Sequence, residues 1–224
     1  MRIFAAVVAM MVSLVACAEE SAPVQPQYEA GRHYQVLDTP VRTRDASKVE
    51  VAEVFWYGCG HCFTFEPMVQ QWKQQQGGDV YVVQSPALWG EVDLKAKPST
   101  WRNPMAVHAR AFYTAQALGV SDKVHMPIFN ALNIERKKLA NADELADLFA
   151  SYGVEKDIFV KTYDSFGITS QVQRAYSNML GYKITGTPQM VVNGKYTISA
   201  RMAGGQAEML KVVDYLVAKE RAAK

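Results

Sequence analysis

Residues 48–76 read KVEVAEVFWYGCGHCFTFEPMVQQWKQQQ, and this stretch decides the fold. Lys48 to Tyr57 is rich in Val and aromatic residues, which predicts a well-buried strand. It runs straight into Gly58-Cys59-Gly60-His61-Cys62. The residues after Cys62 have helical composition, and Gly77-Gly78 supplies a stop. Asp79 to Gln84 then predicts another apolar strand. The expected unit is strand, helix, strand, with two cysteines at the first strand-to-helix junction.

Outward from that unit, Tyr34 to Leu37 predicts a short first strand, and residues 90–182 turn helical. Asn103-Pro104 reads as an N-cap with proline at the first helical position, stopped by Gly119. Asn141 and Glu144 make a capping pair before a helix that Gly153 ends. Helical pattern continues over Glu155 to Phe166 and Ser170 to Leu180. Strands return at Pro188 to Val192 and Lys195 to Ser199, joined by Asn193-Gly194, a strong hairpin signal. An amphipathic helix over Gln206 to Lys219 closes the chain, its basic end suited to the helix dipole. The expected organisation is an α/β domain made of residues 33–89 and 183–224, with an all-helical insertion at 90–182.

The 224 residues carry a net charge of +2 and no Lys/Arg block, which excludes a nucleic-acid groove and a polyanion partner. At the N-terminus, Arg2 followed by the apolar run Ile3 to Ala16 reads as a signal peptide over residues 1–17, too short for a membrane span. Two processing fates stay open. Ala16-Cys17-Ala18 fits an A-x-A cleavage, while Leu14-Val15-Ala16-Cys17 resembles a lipobox that would lipidate Cys17 and tether the chain to a membrane. Residues 18–32 begin Pro- and Gln-rich and read as a flexible spacer.

An exported chain meets oxidising conditions, so the pair Cys59 and Cys62 points to disulfide exchange. Zinc needs two further ligands, and the four histidines show no metal-binding spacing, so no metal site is expected. At a helix N-terminus the Cys59 sulfur faces free backbone N–H groups and the positive end of the dipole; His61 can add a donor or a charge. All of these favour a thiolate on Cys59. Cys62, one turn on, can close the disulfide and is expected to be the shielded partner. The competing reading, a structural staple, is weakened because so short a loop constrains the unfolded chain little. Glu53 interrupts the strand six residues before Cys59. It is either a desolvated acid able to exchange the Cys62 proton or a solvent-facing residue of an alternating strand. Thr187-Pro188 opens the late hairpin, where an ordinary turn proline is the default. Trp56, Phe63 and Trp89 are assigned to core packing.

FWYGCGHCFTFEP and TGTPQMVVNGKY together resemble the active-site helix and proline loop of the DsbA family of bacterial thiol-disulfide oxidoreductases, and the likeness extends over about Tyr34 to Lys219. It implies a thioredoxin-like fold with an inserted all-helical subdomain and a redox-active disulfide between Cys59, the nucleophile, and Cys62, the resolving cysteine. It further implies a cis Pro188 beside the disulfide, substrate backbone held next to it at Thr187, and a functional buried acid at Glu53. No cofactor is implied. The implied partners are unfolded exported polypeptides and a DsbB-type quinone-linked membrane oxidase, the place is the periplasm, and a monomer is the default. Two departures stand out. The dipeptide between the cysteines is Gly60-His61 where the family has Pro-His, and residues 79–86 hold no lysine to pair with the acid. Competing functions are a reductase or isomerase, or a chaperone-like module with a structural disulfide.

Overall fold

The structure, a computed structural model, describes residues 27–90 and 96–224. The expected signal peptide, the lipidation candidate Cys17 and most of the spacer lie outside the described residues. Five strands, β1 (Gln35–Val36), β2 (Val49–Phe55), β3 (Val80–Pro86), β4 (Gln189–Val192) and β5 (Tyr196–Ser199), form one sheet in the order β1-β5-β4-β2-β3. β2 and β3 are parallel, because α1 (Gly60–Gln74) crosses between them; the other pairs are antiparallel. The β4–β5 hairpin turns at Asn193 and Gly194, both at positive φ. At Gly194 a Cβ would sit 1.9 Å from the Val41 carbonyl oxygen, so only glycine fits. This is the thioredoxin-like arrangement that the strand-helix-strand unit and late hairpin predict.

β2 lies between β4 and β3, and all seven of its residues are buried. One face carries Val49 and Val51 against Phe65, Val69 and Trp72 of α1 and against Met209, Val213 and Leu216 of α8 (Gln206–Ala222). The opposite face carries Ala52 and Val54 against Met179 and Tyr182. Each large apolar side chain removed from water in these layers contributes about 1.5–3 kcal/mol. A strand covered on both faces has no solvent side, which decides the fate of Glu53 below.

Between β3 and β4 run α2 (Pro104–Ala117), α3 (Ser121–Asn133), α4 (Ala142–Ala150), α5 (Lys156–Tyr163) and α6 (Phe166–Gly181), and the single turn α7 (Ala200–Ala203) links β5 to α8. The Asn103 and Asn141 caps form as expected: Asn103 Oδ1 accepts from Met105 and Ala106, and Asn141 Oδ1 from Glu144. The α5–α6 boundary differs from expectation. Ser165 caps the backbone N–H of Ile168, so Phe166 opens α6 rather than closing α5. α3 has no side-chain cap, which left it without a start signal in the sequence. α6 serves both layers: Ile168, Val172 and Ala175 join the helical core, while Met179 packs on the sheet. Buried Arg110 of α2 donates to the Tyr163 and Ser165 carbonyls and to Thr169 Oγ1, pinning the junction between α5 and α6. Phe55, Tyr57, Cys62 and Leu88 reach from the sheet domain into the helical core, so the cysteine pair sits at the seam of the two.

Candidate active site

After β2 the chain turns so that the Cys59 N–H donates to the Trp56 carbonyl at 3.0 Å. Gly58 lies against the Trp56 ring, where a Cβ would come within 2.4 Å of it. The Trp56 indole N–H in turn donates to His108 Nδ1 at 3.1 Å, and His108 Nε2 lies 3.1 Å from the Leu139 carbonyl. Burial pushes His108 down to about 4, so the ring is neutral, its Nε2–H donating to Leu139 and Nδ1 free to accept. Asn133 of α3 adds a hydrogen bond to the Tyr57 carbonyl at 2.8 Å. The turn that carries the thiol is thus held by α2, α3 and the loop before α4.

Cys59 is the N-cap of α1, and its Sγ accepts from the backbone N–H of Cys62 at 3.4 Å. Both cysteines are free thiols, Cys59 half-buried and Cys62 buried, so the structure is that of the dithiol form. The hydrogen bond from the Cys62 side chain, set against burial and joined by the Thr187 side chain and the N–H groups of Cys62 and His61, brings Cys59 down to about 5. The Cys59 sulfur also lies 3.4 Å from the Thr187 carbonyl, a contact that only the protonated thiol can use as a donor. The donors serving the thiolate outweigh it. Burial, then the hydrogen bond and charge of Cys59, push Cys62 far up. His61 contributes its backbone N–H; its side chain is exposed.

The Thr187–Pro188 bond is cis, as the resemblance implies. Gln189 Oε1 shapes the approach to it by accepting from the N–H groups of Thr185 and Gly186 at 3.0 and 3.3 Å. A groove of about 510 Å³ opens there, lined by His61, Thr187, Pro188, Ser199, Arg201 and Gln206 among others. Gln206 closes it onto the active-site helix by donating to the His61 carbonyl at 2.6 Å.

Glu53 is fully buried, near enough for the Cys59 charge to bear on it. The solvent-facing alternative fails because α1 and α8 cover the face it points to. In the parallel register Glu53 lies beside Gln84, whose Nε2 donates to Glu53 Oε2 at 2.8 Å. Gln84 therefore occupies the place where a lysine was sought. The same nitrogen lies 2.9 Å from Glu66 Oε2, and Glu66 is equally buried. His125 Nε2 faces Glu66 Oε1 at 3.1 Å, and His125 Nδ1 lies 2.7 Å from the Tyr57 hydroxyl. Burial and then the Glu66 charge push Glu53 up to about 8, against the Gln84 hydrogen bond. Burial also works to raise Glu66, but His125 with the Gln70 and Gln84 amides outweighs it and leaves Glu66 below the ordinary value. Tyr57, Glu66, Gln84 and His125 were missed by sequence reasoning. Of these, only Gln84 had a usable signal, its place on a strand parallel to the one bearing Glu53.

A thioredoxin-like sheet with an ionised N-cap thiol, a buried partner thiol and a cis proline beside them defines a thiol–disulfide oxidoreductase. The chain belongs to the DSBA-like thioredoxin domain family, whose model matches residues 50–217. It is 43% identical over 196 residues to the thiol:disulfide interchange protein DsbA of Pseudomonas aeruginosa, covering 88% of this chain and 87% of that protein. The DsbA of Azotobacter vinelandii is 39% identical, with 95% and 94% covered. Among solved structures, Pseudomonas aeruginosa DsbA superposes with a TM-score of 0.79 at 43% identity, over 88% of this chain and 96% of that one. Xylella fastidiosa DsbA gives 0.75 at 32%, over 87% and 98%. Thiol–disulfide exchange in oxidative protein folding is the activity that these relationships assign to the chain.

Proposed function

We propose that the chain donates the Cys59–Cys62 disulfide to reduced, newly exported polypeptides in the periplasm. The observation that carries this reading is the split between the two thiols, Cys59 brought down to about 5 and Cys62 pushed far up. A substrate thiolate attacks the half-buried Cys59 sulfur and expels Cys62. A second substrate thiolate then releases Cys59, which leaves easily because its thiolate is stabilised. The same stabilisation favours the dithiol and makes the disulfide a strong oxidant. Thr187 and Pro188 flank the groove, where substrate backbone lies beside the sulfur, and Glu53 exchanges the Cys62 proton.

Reoxidation falls to a DsbB-type quinone-linked membrane oxidase, and the protein works as a monomer without a cofactor. Mass analysis of the mature N-terminus tests whether Cys17 carries lipid and tethers the protein or whether the chain is released free. For the main reading the test is redox titration against glutathione followed by oxidation of a dithiol peptide. Rapid peptide oxidation that Cys59→Ser abolishes supports donation. A strongly reducing pair in that titration supports the reductase alternative instead, and oxidation persisting in Cys59→Ser makes the cysteines a staple.

A further inference from the structure

Two buried carboxylates that share one amide donor cannot both be charged without strong repulsion. Among the described residues neither Glu53 nor Glu66 pairs with a lysine or an arginine. The partner instead comes from the helical subdomain, His125 of α3, whose side chain is 12% exposed. The groups facing His125 are Glu66 from α1, Tyr57 from the turn, Gln84 from β3, and the rings of Phe55, Phe112 and Phe129. Glu66 and Tyr57 are thus its titratable neighbours, with Glu53 and the thiols beyond them.

The two acids are unequally served. Glu66 accepts from Gln70 at 2.5 Å, from Gln84 at 2.9 Å and from His125 at 3.1 Å. Among the described residues Glu53 accepts only from Gln84, and its Oε1 is buried without a partner. A carboxylate needs donors, whereas a carboxylic acid tolerates fewer, so the imbalance fixes where the single proton resides. We propose that His125 is a positioning residue for the thiol chemistry: bound to Glu66, it keeps that acid ionised and so confines the shared proton to Glu53, where Cys62 draws on it. This rests on the reading of Glu53 as the proton partner of Cys62.

The step balances as follows. The substrate thiolate forms a bond to Cys59 Sγ while the Cys59–Cys62 bond breaks, and the electron pair leaves on Cys62. That sulfur takes the Glu53 proton, and Glu53 becomes a carboxylate. The second substrate thiolate attacks the substrate sulfur of the mixed disulfide, and Cys59 departs as thiolate. The substrate dithiol is oxidised and the cysteine pair reduced; one substrate proton restores Glu53 and the other enters solvent.

The test counts protonated buried carboxyl groups by infrared spectroscopy of the full chain carrying carboxyl-labelled glutamate, in the reduced form at pH 7. The native protein gives one such band, lost in Glu53→Gln. In His125→Phe a second band appears, and one persists in the double variant His125→Phe/Glu53→Gln. Oxidation of a dithiol peptide by His125→Phe slows about tenfold, a fraction of what a positioned acid or base typically supplies. A single band in His125→Phe that Glu53→Gln removes overturns the proposal. The native protein provides a check that needs no variant to fold: carboxyl-carbon shifts at pH 7 must find Glu66 ionised and Glu53 protonated, and the opposite assignment also overturns it. If the bands behave as stated while Glu53→Gln oxidises peptide at the native rate, the placement of the proton by His125 stands and the role of Glu53 falls.

Discussion

Replacing Cys59 by serine removes an ionisation while keeping a small polar side chain, so its effect on stability depends on pH in a way that the structure specifies. The thiol moves from 9.0 in the ordinary state to about 5 in the folded protein. Because the folded value is the lower one, the stabilisation is complete above pH 9 and disappears as pH falls through 5. At pH 7 the unfolded thiol is almost wholly protonated and the folded one ionised. That leaves two units of difference, or about 2.7 kcal/mol. Cys59 is only half-buried, and solvent screening reduces this to about 2 kcal/mol. Urea unfolding of the reduced native protein and of Cys59→Ser, each at pH 7 and pH 4, isolates the effect, since the other titrating groups cancel between the two proteins. The native advantage is expected to be about 2 kcal/mol larger at pH 7. On the two-electron couple the same free energy makes the disulfide about 40 mV more oxidising at pH 7 than an unperturbed thiol would. If the two proteins lose stability in parallel between pH 7 and pH 4, the thiolate is not held by the helix start and the reasoning fails.

Glu53→Gln carries the opposite sign. An acid raised to about 8 in the fold but ordinary when unfolded destabilises the native state progressively above pH 4.5, so the amide is expected to stabilise the reduced protein by about 3 kcal/mol at pH 7 and by little at pH 4, read by urea unfolding. Gly58→Ala drives a methyl into the Trp56 ring, and thermal unfolding should show a loss of about 1–3 kcal/mol together with a changed tryptophan emission. Glu220 is buried and accepts from Asn193, from Lys195 at 2.7 Å and from Tyr196 at 3.1 Å; Glu220→Ala strands those donors and is expected to cost about 3 kcal/mol in chemical denaturation without altering peptide oxidation.

The thiol site was legible in the sequence because its chemistry is local. A cysteine ending a strand and opening a helix fixes its own N-cap geometry, and the i+3 cysteine follows one turn later. Asn103 and Asn141 marked their helix starts, whereas the Ser165 cap of α6 was passed over and α3, which has no side-chain cap, was not read as a separate helix. The motif also hides part of what it does: as a residue of the helix's first turn, His61 brings an unpaired backbone N–H to the cap while its side chain is exposed. Composition shows the side chain and hides the backbone.

The acid layer was illegible for a different reason. Strand periodicity says which face Glu53 occupies, yet not whether that face is covered; coverage depends on α1 and on α8, more than 150 residues further along the chain. Gln84 could be placed on the strand next to that of Glu53, but its pairing with Glu53 itself comes from the parallel register, which a count from either strand's start does not fix. His125 arrives from a helix of the insertion with no pattern linking it to either acid. Opposite shifts within this one site also conflict with stability, since Glu53 opposes folding at neutral pH while Cys59 favours it. A fold selected for stability alone would place an apolar residue at Glu53, as at Val51 and Phe55 on the same face. That the acid stays, buried with an oxygen that has no partner among the described residues, fits the proton exchange with sulfur proposed above better than a purely structural role.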